Sequence, residues 1–272
     1  MRRVLLAFMF VVAFSAMGSA QQYTYYFPHI AVGTYTGGSW QTTIFLTNAS
    51  APGTAASGAI TFTADDGTAY NVQFVDSGGN PVGSGNTIPF QMNAGETRKF
   101  ISVANAALTT GYATVTSNAA VLANAMFTQL DGNGNMTGEA GVPAAIPLGR
   151  QAIFVDTTNG FHTGVAIANP NTASLEVHFE LLNTTGQMIS SQVRTLPPLQ
   201  HIAMFVDQLF PGTPPMIGRL QFYCTNPMVS VALRFSPSYA LFTTLPPVAI
   251  AGLIQSTIDF PAIIRRDRWA TA

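Results

Sequence analysis

The sequence predicts an all-β fold built from two tandem Ig-like β-sandwich units that are related by internal duplication. Short runs rich in Val, Ile, Phe, Thr and Tyr alternate in polarity, and clusters of Asn, Gly, Asp and Pro separate them. After the first 20 residues, no stretch keeps an apolar period of 3.6 residues over three turns. Similar blocks recur in the same order in both halves of the chain. Many short strands with frequent turns are typical of a sandwich or a barrel.

Residues 1–20 have the pattern of a secretory signal peptide. Arg2 and Arg3 precede an uncharged apolar run over residues 4–14, and small residues then lead to Ala20. The run of eleven residues is shorter than the roughly 20 that a membrane-spanning helix needs. We therefore expect cleavage after Ala20, no membrane span in the mature chain, and a secreted or cell-surface protein, with the periplasm as an alternative.

The charge of the mature chain makes nucleic acid an unfavourable partner. Without Arg2 and Arg3, nine basic residues face twelve acidic ones, so the net charge is −3. Lys99 is the only lysine, and no basic cluster is available to neutralise phosphates. The 252 remaining residues suit two domains of ordinary size, each able to bury its own core.

The duplication is clearest in two nine-residue blocks. Residues 40–48 (WQTTIFLTN) align with residues 161–169 (FHTGVAIAN), each with an aromatic residue first, apolar residues at alternate positions and an asparagine at the end. Further aligned pairs follow in the same order: 60–67 with 179–186, 92–103 with 197–207, 111–115 with 218–222, and 142–143 with 245–246. The predicted units are residues 21–147 and 151–248. Residues 71–86 are an insertion in the first unit, and residues 249–272 form a C-terminal extension.

The alignment of residues 119–129 stays open at this stage. If the register of Gly111 and Gly218 continues, Ala125 pairs with Ala232. A slip of one residue instead pairs Ala125 with Leu233. Such a slip exchanges the buried and the exposed face of a strand, so the two alternatives predict different cores.

The chain resembles a group of secreted, uncharacterised two-repeat proteins of environmental bacteria. The resemblance rests on the strands that end at Asn48 and Asn169, on residues 196–201 and 205–211, and on the closing segments 234–237 and 244–247. It implies Ig-like or fibronectin-III-like sandwiches in an extracellular setting, and it implies no catalytic residues. The Cys…Trp…Cys core of antibody domains is absent, since Cys224 is the only cysteine.

No motif in the sequence predicts an enzyme, so we expect no catalytic residues and no cofactor. The chain lacks a G-x-S-x-G elbow, a glycine loop that leads into a helix, and the H-x-H or H-E-x-x-H spacings of metal sites. Side chains from distant strands could still converge, because catalytic triads are defined by geometry and not by order. Cys224 lies in an apolar-alternating segment, where the role of a small buried residue is favoured over that of a reactive thiol.

Asp131, Asn133 and Asn135 are the candidates for a metal site. Their spacing resembles the start of a calcium loop, but Met136 stands where that loop requires glycine. Asp-Gly and Asn-Gly are also the preferred pairs of hairpin turns. The turn is therefore the favoured interpretation, and no metal is predicted.

Tyr23, Tyr25 and Tyr26 are the candidates for ligand binding. Exposed tyrosines can stack on sugars or form a protein contact. The alternative is a terminal strand that packs on the first unit, because chain ends need anchoring.

Together these features predict an exported, non-catalytic module with a binding, adhesive or structural role. Its expected partners are an extracellular protein or a glycan. The alternative is a carbohydrate-binding module or a minor hydrolase with its site at the junction of the two units. A row of exposed aromatic residues beside polar groups would favour that alternative.

Overall fold

The computed structural model describes residues 22–250, 263–265 and 268–270. The predicted signal peptide and most of the predicted C-terminal extension lie outside these residues. Within them, the chain is nearly all β and its paired strands are antiparallel, as predicted. We call residues 22–147 the first half and residues 148–250 the second half.

The first half contains ten strands. They are β1 (Tyr23–Tyr35), β2 (Gly38–Asn48), β3 (Ala56–Ala64), β4 (Val72–Val75), β5 (Pro81–Gly85), β6 (Thr87–Met92), β7 (Thr97–Ser102), β8 (Thr109–Ser117), β9 (Val121–Asp131) and β10 (Met136–Pro143). One group of hydrogen-bonded strands runs β1-β8-β3-β6, and another contains β5, β4, β7, β2, β9 and β10. β1 pairs first with β8 and then, from Gly33, with β2, so the two groups form one continuous, barrel-like sheet around a common core.

The second half contains eight strands and two short helical turns. The strands are β11 (Leu148–Asp156), β12 (His162–Ala168), β13 (Leu175–Asn183), β14 (Met188–Leu196), β15 (His201–Phe205), β16 (Ile217–Phe235), β17 (Phe242–Leu245) and β18 (Val248–Ala249). The turns are a 3₁₀ helix (Thr158–Gly160) and α1 (Val206–Leu209). The long β16 pairs with β11 and β13 over its first part and with β12 and β17 over its last, so it links two groups of strands. Beyond these halves, β19 (Ile263–Arg265) pairs with β20 (Arg268–Ala270).

The predicted insertion is an additional hairpin. β4 and β5 lie within residues 71–86, pair with each other and extend the sheet beside β7. Phe74 from this hairpin is fully buried and stacks on Phe62 at 5.1 Å between ring centroids. The insertion therefore enlarges the first core.

The inward residues of the aligned nine-residue blocks are buried as the alternation predicts. Ile44 and Leu46 are buried in the first core, and Val165 and Ile167 are buried in the second. The strand pairs bear on the register that the sequence left open. Ala125 pairs with Ile44 and Ala232 pairs with Val165, so Ala125 and Ala232 lie beside aligned positions of the two nine-residue blocks.

The two halves pack against each other through the outer face of β12 and β16. Ala166 and Val231 on this face join the core of the first half. Ala168 and Val229 form a smaller buried cluster with Tyr112 of β8. The outer face of a sheet in the second half therefore serves as a wall of the first.

Candidate functional site

A cavity of about 370 Å³ lies at the contact between the two halves. Most of its wall is apolar, and both halves contribute side chains. From the first half these include His29, Trp40, Thr110 and Phe127, and from the second Phe205, Gln208, Val231 and Phe235. Cavities of this size hold small organic ligands in many proteins.

A chain of hydrogen bonds between the halves reaches the cavity through His29 and Thr110. Oδ1 of Asp65, in the turn after β3, lies 2.7 Å from Nδ1 of His201. Nε2 of His201, at the start of β15, lies 3.2 Å from Nδ1 of His29 in β1. The hydroxyl of Thr110 donates to Oδ2 of Asp65 at 2.6 Å. Four polar side chains from four separate parts of the sequence thus meet at one point.

Two turns hold this chain of hydrogen bonds in place. The backbone N–H of His201 donates to the carbonyl oxygen of Asp65 at 3.0 Å, so backbone and side chain join the same two residues. Gly67 has φ of 85°, and a Cβ there would lie 3.0 Å from the carbonyl oxygen of Pro198. Glycine therefore permits both the left-handed turn and the close approach of the two loops.

The electrostatics of the chain follow from burial and from its hydrogen bonds. Burial, with a further contribution from His201, lowers the pKa of His29 to about 3 against the opposing effect of Asp65. The His29 ring is thus neutral at pH 7. Burial would raise the pKa of Asp65, but the hydrogen bonds from His201 and Thr110 hold it below its ordinary value. Asp65 is therefore an anion, and it accepts hydrogen bonds only.

A cluster of aromatic rings also lines the cavity. Phe205 and Phe235 line the cavity and meet edge to face at 5.5 Å between centroids. Phe235 also stacks on Phe242, which in turn contacts Trp40 of the first half at 5.1 Å. Such contacts fix the rings in position, so the wall is preformed.

The tyrosines singled out in the sequence lie at the beginning of β1, away from the cavity. Tyr25 packs against the first core, and its hydroxyl accepts a hydrogen bond from the backbone of Val121 at 3.0 Å. Tyr26 packs on the small cluster at the junction of the halves. Tyr23 is half-buried and pairs with Ser117 at the end of β8. These contacts match the anchoring alternative stated for the terminal strand.

Asp131, Asn133 and Asn135 form a tight turn between β9 and β10. Oδ1 of Asp131 accepts the backbone N–H groups of Asn133 at 2.9 Å and of Asn135 at 2.8 Å. The hydrogen bonds from Asn135, followed by those from the rest of the turn, lower the pKa of Asp131. Within the described residues, no cluster of three His, Cys, Asp or Glu side chains could hold a metal ion.

Sequence reasoning missed His29, Asp65 and His201 as a group. The histidines are 172 residues apart, and Asp65 and His201 are 136 apart. None of the three belongs to a short motif, because the contact between the halves brings them together. Only Asp65 and His201 lie beside turns of the aligned blocks, and His29 lies in the middle of β1, so the sequence carried no signal for the group.

No protein-family model matches this chain, and no curated protein matches it at a significant level. Among the described residues, no helix has the length and apolar character needed to cross a membrane.

Proposed function

We propose that this chain is an exported, non-catalytic binding module that takes a small ligand into the cavity between its halves. The observation that carries the proposal is the cavity itself, which is lined by packed aromatic rings and by the hydrogen-bonding side chains of His29 and Thr110. A wall of this composition buries an apolar ring and orients its polar substituents. Extracellular adhesion through such a ligand fits the predicted export signal and the sequence resemblance.

We further propose that the halves are two Ig-like sandwich units related by duplication. The pairings β1·β8, β2·β7, β2·β9, β3·β6 and β3·β8 have counterparts in β11·β16, β12·β15, β12·β16, β13·β14 and β13·β16. This correspondence supports a common origin, because the paired strands follow one another in the same order along both halves. Superposition of experimental coordinates for the two halves would test it.

Two aligned polar residues support the same proposal. The side-chain amide of Asn48 donates to the carbonyl of Met92 at 3.3 Å, and that of Asn169 donates to the carbonyl of Leu196 at 3.1 Å. Both asparagines are fully buried at the end of the second strand of their half. Each also accepts the backbone N–H two residues later, at 3.1 Å for Asn48 and 3.0 Å for Asn169.

A cavity-filling substitution tests the binding proposal. Ala203 is exposed at the cavity wall, so Ala203→Phe places a ring in the space without removing an existing contact. Toluene, phenol and methyl glucoside can serve as probes in calorimetric titrations of the mature chain. We expect Ala203→Phe to abolish binding and Leu122→Phe, at an exposed position of β9, to leave it unchanged. Equal binding by both variants would contradict the proposal.

A hydrolase with its site at the same junction is the second candidate. The observation that favours it is the pair of Asp65 and His201, because a carboxylate that orients an imidazole is also a feature of catalytic triads. Thr110 is the only hydroxyl-bearing residue among those lining the described cavity, and its hydroxyl donates to Asp65. Turnover of p-nitrophenyl acetate that disappears in His201→Gln would favour the hydrolase. Equal turnover by His201→Gln and by the control variant His178→Gln would count against the hydrolase.

A further inference from the structure

The polar wall of the cavity also determines which ligands it suits. His29 lines the cavity, and its Nδ1 is taken by His201. Its Nε2 makes no hydrogen bond to the described residues. It is also not fully buried. Among the described residues, Gln129 Oε1 is the only fully buried side-chain nitrogen or oxygen without a hydrogen-bond partner. Nε2 of His29 is therefore the ring nitrogen that a ligand in the cavity can reach.

The hydrogen-bond chain sets the character of that nitrogen. The Asp65 carboxylate can only accept, so Nδ1 of His201 carries a hydrogen. In a neutral His201, Nε2 then holds a lone pair and accepts from Nδ1–H of His29. A neutral imidazole with its hydrogen on Nδ1 has a lone pair on Nε2. The Asp65 carboxylate thereby determines, through the rings of His201 and His29, that the cavity presents a hydrogen-bond acceptor to its ligand.

We propose that the cavity selects a neutral ring compound bearing a hydroxyl group, and that this hydroxyl donates its hydrogen to Nε2 of His29. The inference rests on the proposed binding function and specifies its ligand class. The ring lies against Phe205 and Phe235, where apolar surface is available for burial. Phenol is the simplest molecule with both features. In this arrangement Asp65 and His201 are positioning residues, because they act on the ligand through His29.

Three probes of similar shape separate the hydrogen bond from the apolar contact. Phenol can donate and accept, anisole can only accept, and toluene does neither. At pH 7.5 we expect phenol to bind the mature chain roughly two- to tenfold more tightly than toluene or anisole, the range expected for one neutral hydrogen bond. Calorimetric titration of each probe gives the ratio directly.

Two variants locate the acceptor. His29→Phe keeps a ring beside Phe127 but removes the nitrogen, so the ratio of phenol to toluene affinity should fall to about one. Asp65→Asn should also lower the ratio while leaving toluene affinity unchanged, because an amide can donate as well as accept. The control is Asp66→Asn in the same turn, where the carboxylate bonds only to Thr68. That variant should keep the wild-type ratio, and Asp65→Asn still provides the test if His29→Phe does not fold.

The possible outcomes separate this inference from the function on which it rests. Equal affinity for phenol and toluene in the wild type would overturn the hydroxyl preference but keep the binding module. Tighter binding of anisole than of phenol would also overturn it, because His29 would then be donating, as it would beside a cationic His201. If none of the probes bound, the binding function and the inference would both fail.

Discussion

Residues 121–127 of β9 and residues 228–234 of β16 have aligned sequences but different surroundings. Along residues 121–127 of β9, buried positions alternate with exposed ones, and Leu122 is 60% exposed. Along the aligned part of β16, residues 228–232 are all buried. Val229, which aligns with Leu122, has no exposed surface. The outer face of β9 meets solvent, whereas the outer face of β16 meets the first half.

Buried and exposed residues therefore alternate along a strand only where one of its two faces is in contact with solvent. In β16 the inward Ala232 belongs to the second core, while the outward Val231 belongs to the first core. A strand between two cores reads as a continuous apolar run, as the strands of sheets buried on both faces do. The contact between the halves, and with it the cavity, depends on this second buried face.

The largest effect should come from a charge placed on the covered face. Val229 packs with Tyr112 and Ala168, which are uncharged, so Val229→Asp buries a carboxylate without a partner. We expect a loss of about 3–5 kcal/mol in the free energy of unfolding, measured by denaturant titration. Leu122→Asp at the aligned exposed position should change it by no more than about 0.5 kcal/mol. Similar losses in both variants would mean that the two faces do not differ.

Next in size are truncations in the two cores. Ile44 has no exposed surface and Val165 is 2% exposed. Ile44→Ala should cost about 2–5 kcal/mol through the lost burial and the cavity left behind, and Val165→Ala somewhat less because its side chain is smaller. Denaturant titration of both variants checks this. A loss below about 1 kcal/mol at either site would contradict its place in a close-packed core.

A smaller effect, dependent on pH, should come from His29. Its pKa is about 3 in the folded chain and near the ordinary 6.5 when unfolded, so the unfolded chain binds more protons between these values. This contribution to stability is complete above pH 6.5 and is lost as the pH falls toward 3, by about 1.4 kcal/mol per unit. His29→Gln should flatten the stability profile measured from pH 6.5 to 4.5.

The smallest effects compare two outward-facing polar residues of the second half. The Glu176 side chain is 68% exposed, so Glu176→Ala should change stability by no more than about 0.5 kcal/mol. His162 stacks on Tyr239 at 4.6 Å between ring centroids, and its side chain is only 24% exposed. His162→Ala should therefore cost about 0.5–1.5 kcal/mol, the range of aromatic pairs. Thermal unfolding of the two variants checks this. Equal midpoints would show that the stacking does not contribute to stability.

His162 also illustrates what alternation can and cannot predict. The pattern places it opposite the inward Thr163 and Val165, and the structure agrees. The pattern alone suggests that an outward position is wet, but Tyr239 and Phe205 cover this one. Neither ring lies in the same strand, so no local pattern contains the contact.

The residues of the candidate site could not be predicted from the sequence. A site at the junction of the two predicted units was stated only as an alternative hypothesis. His29, Asp65 and His201 could not be grouped, because each belongs to a different strand or turn and the spacing between them carries no periodic signal. Their proximity results from the docking of the two halves, which sequence alignment does not describe.

Local chemistry along the chain was enough to determine the strand-rich character of the fold and the inward residues of its strands. Side chains alternate along every strand and glycine-rich turns interrupt it, so Ile44 and Val165 could be assigned to cores from sequence alone. In contrast, the position of β1 and β16 between two groups of strands, and the burial of Val229 on an outer face, follow from tertiary contacts. Burial there depends on the partner surface across the junction, which is distant in sequence and has no fixed spacing from the residues it covers.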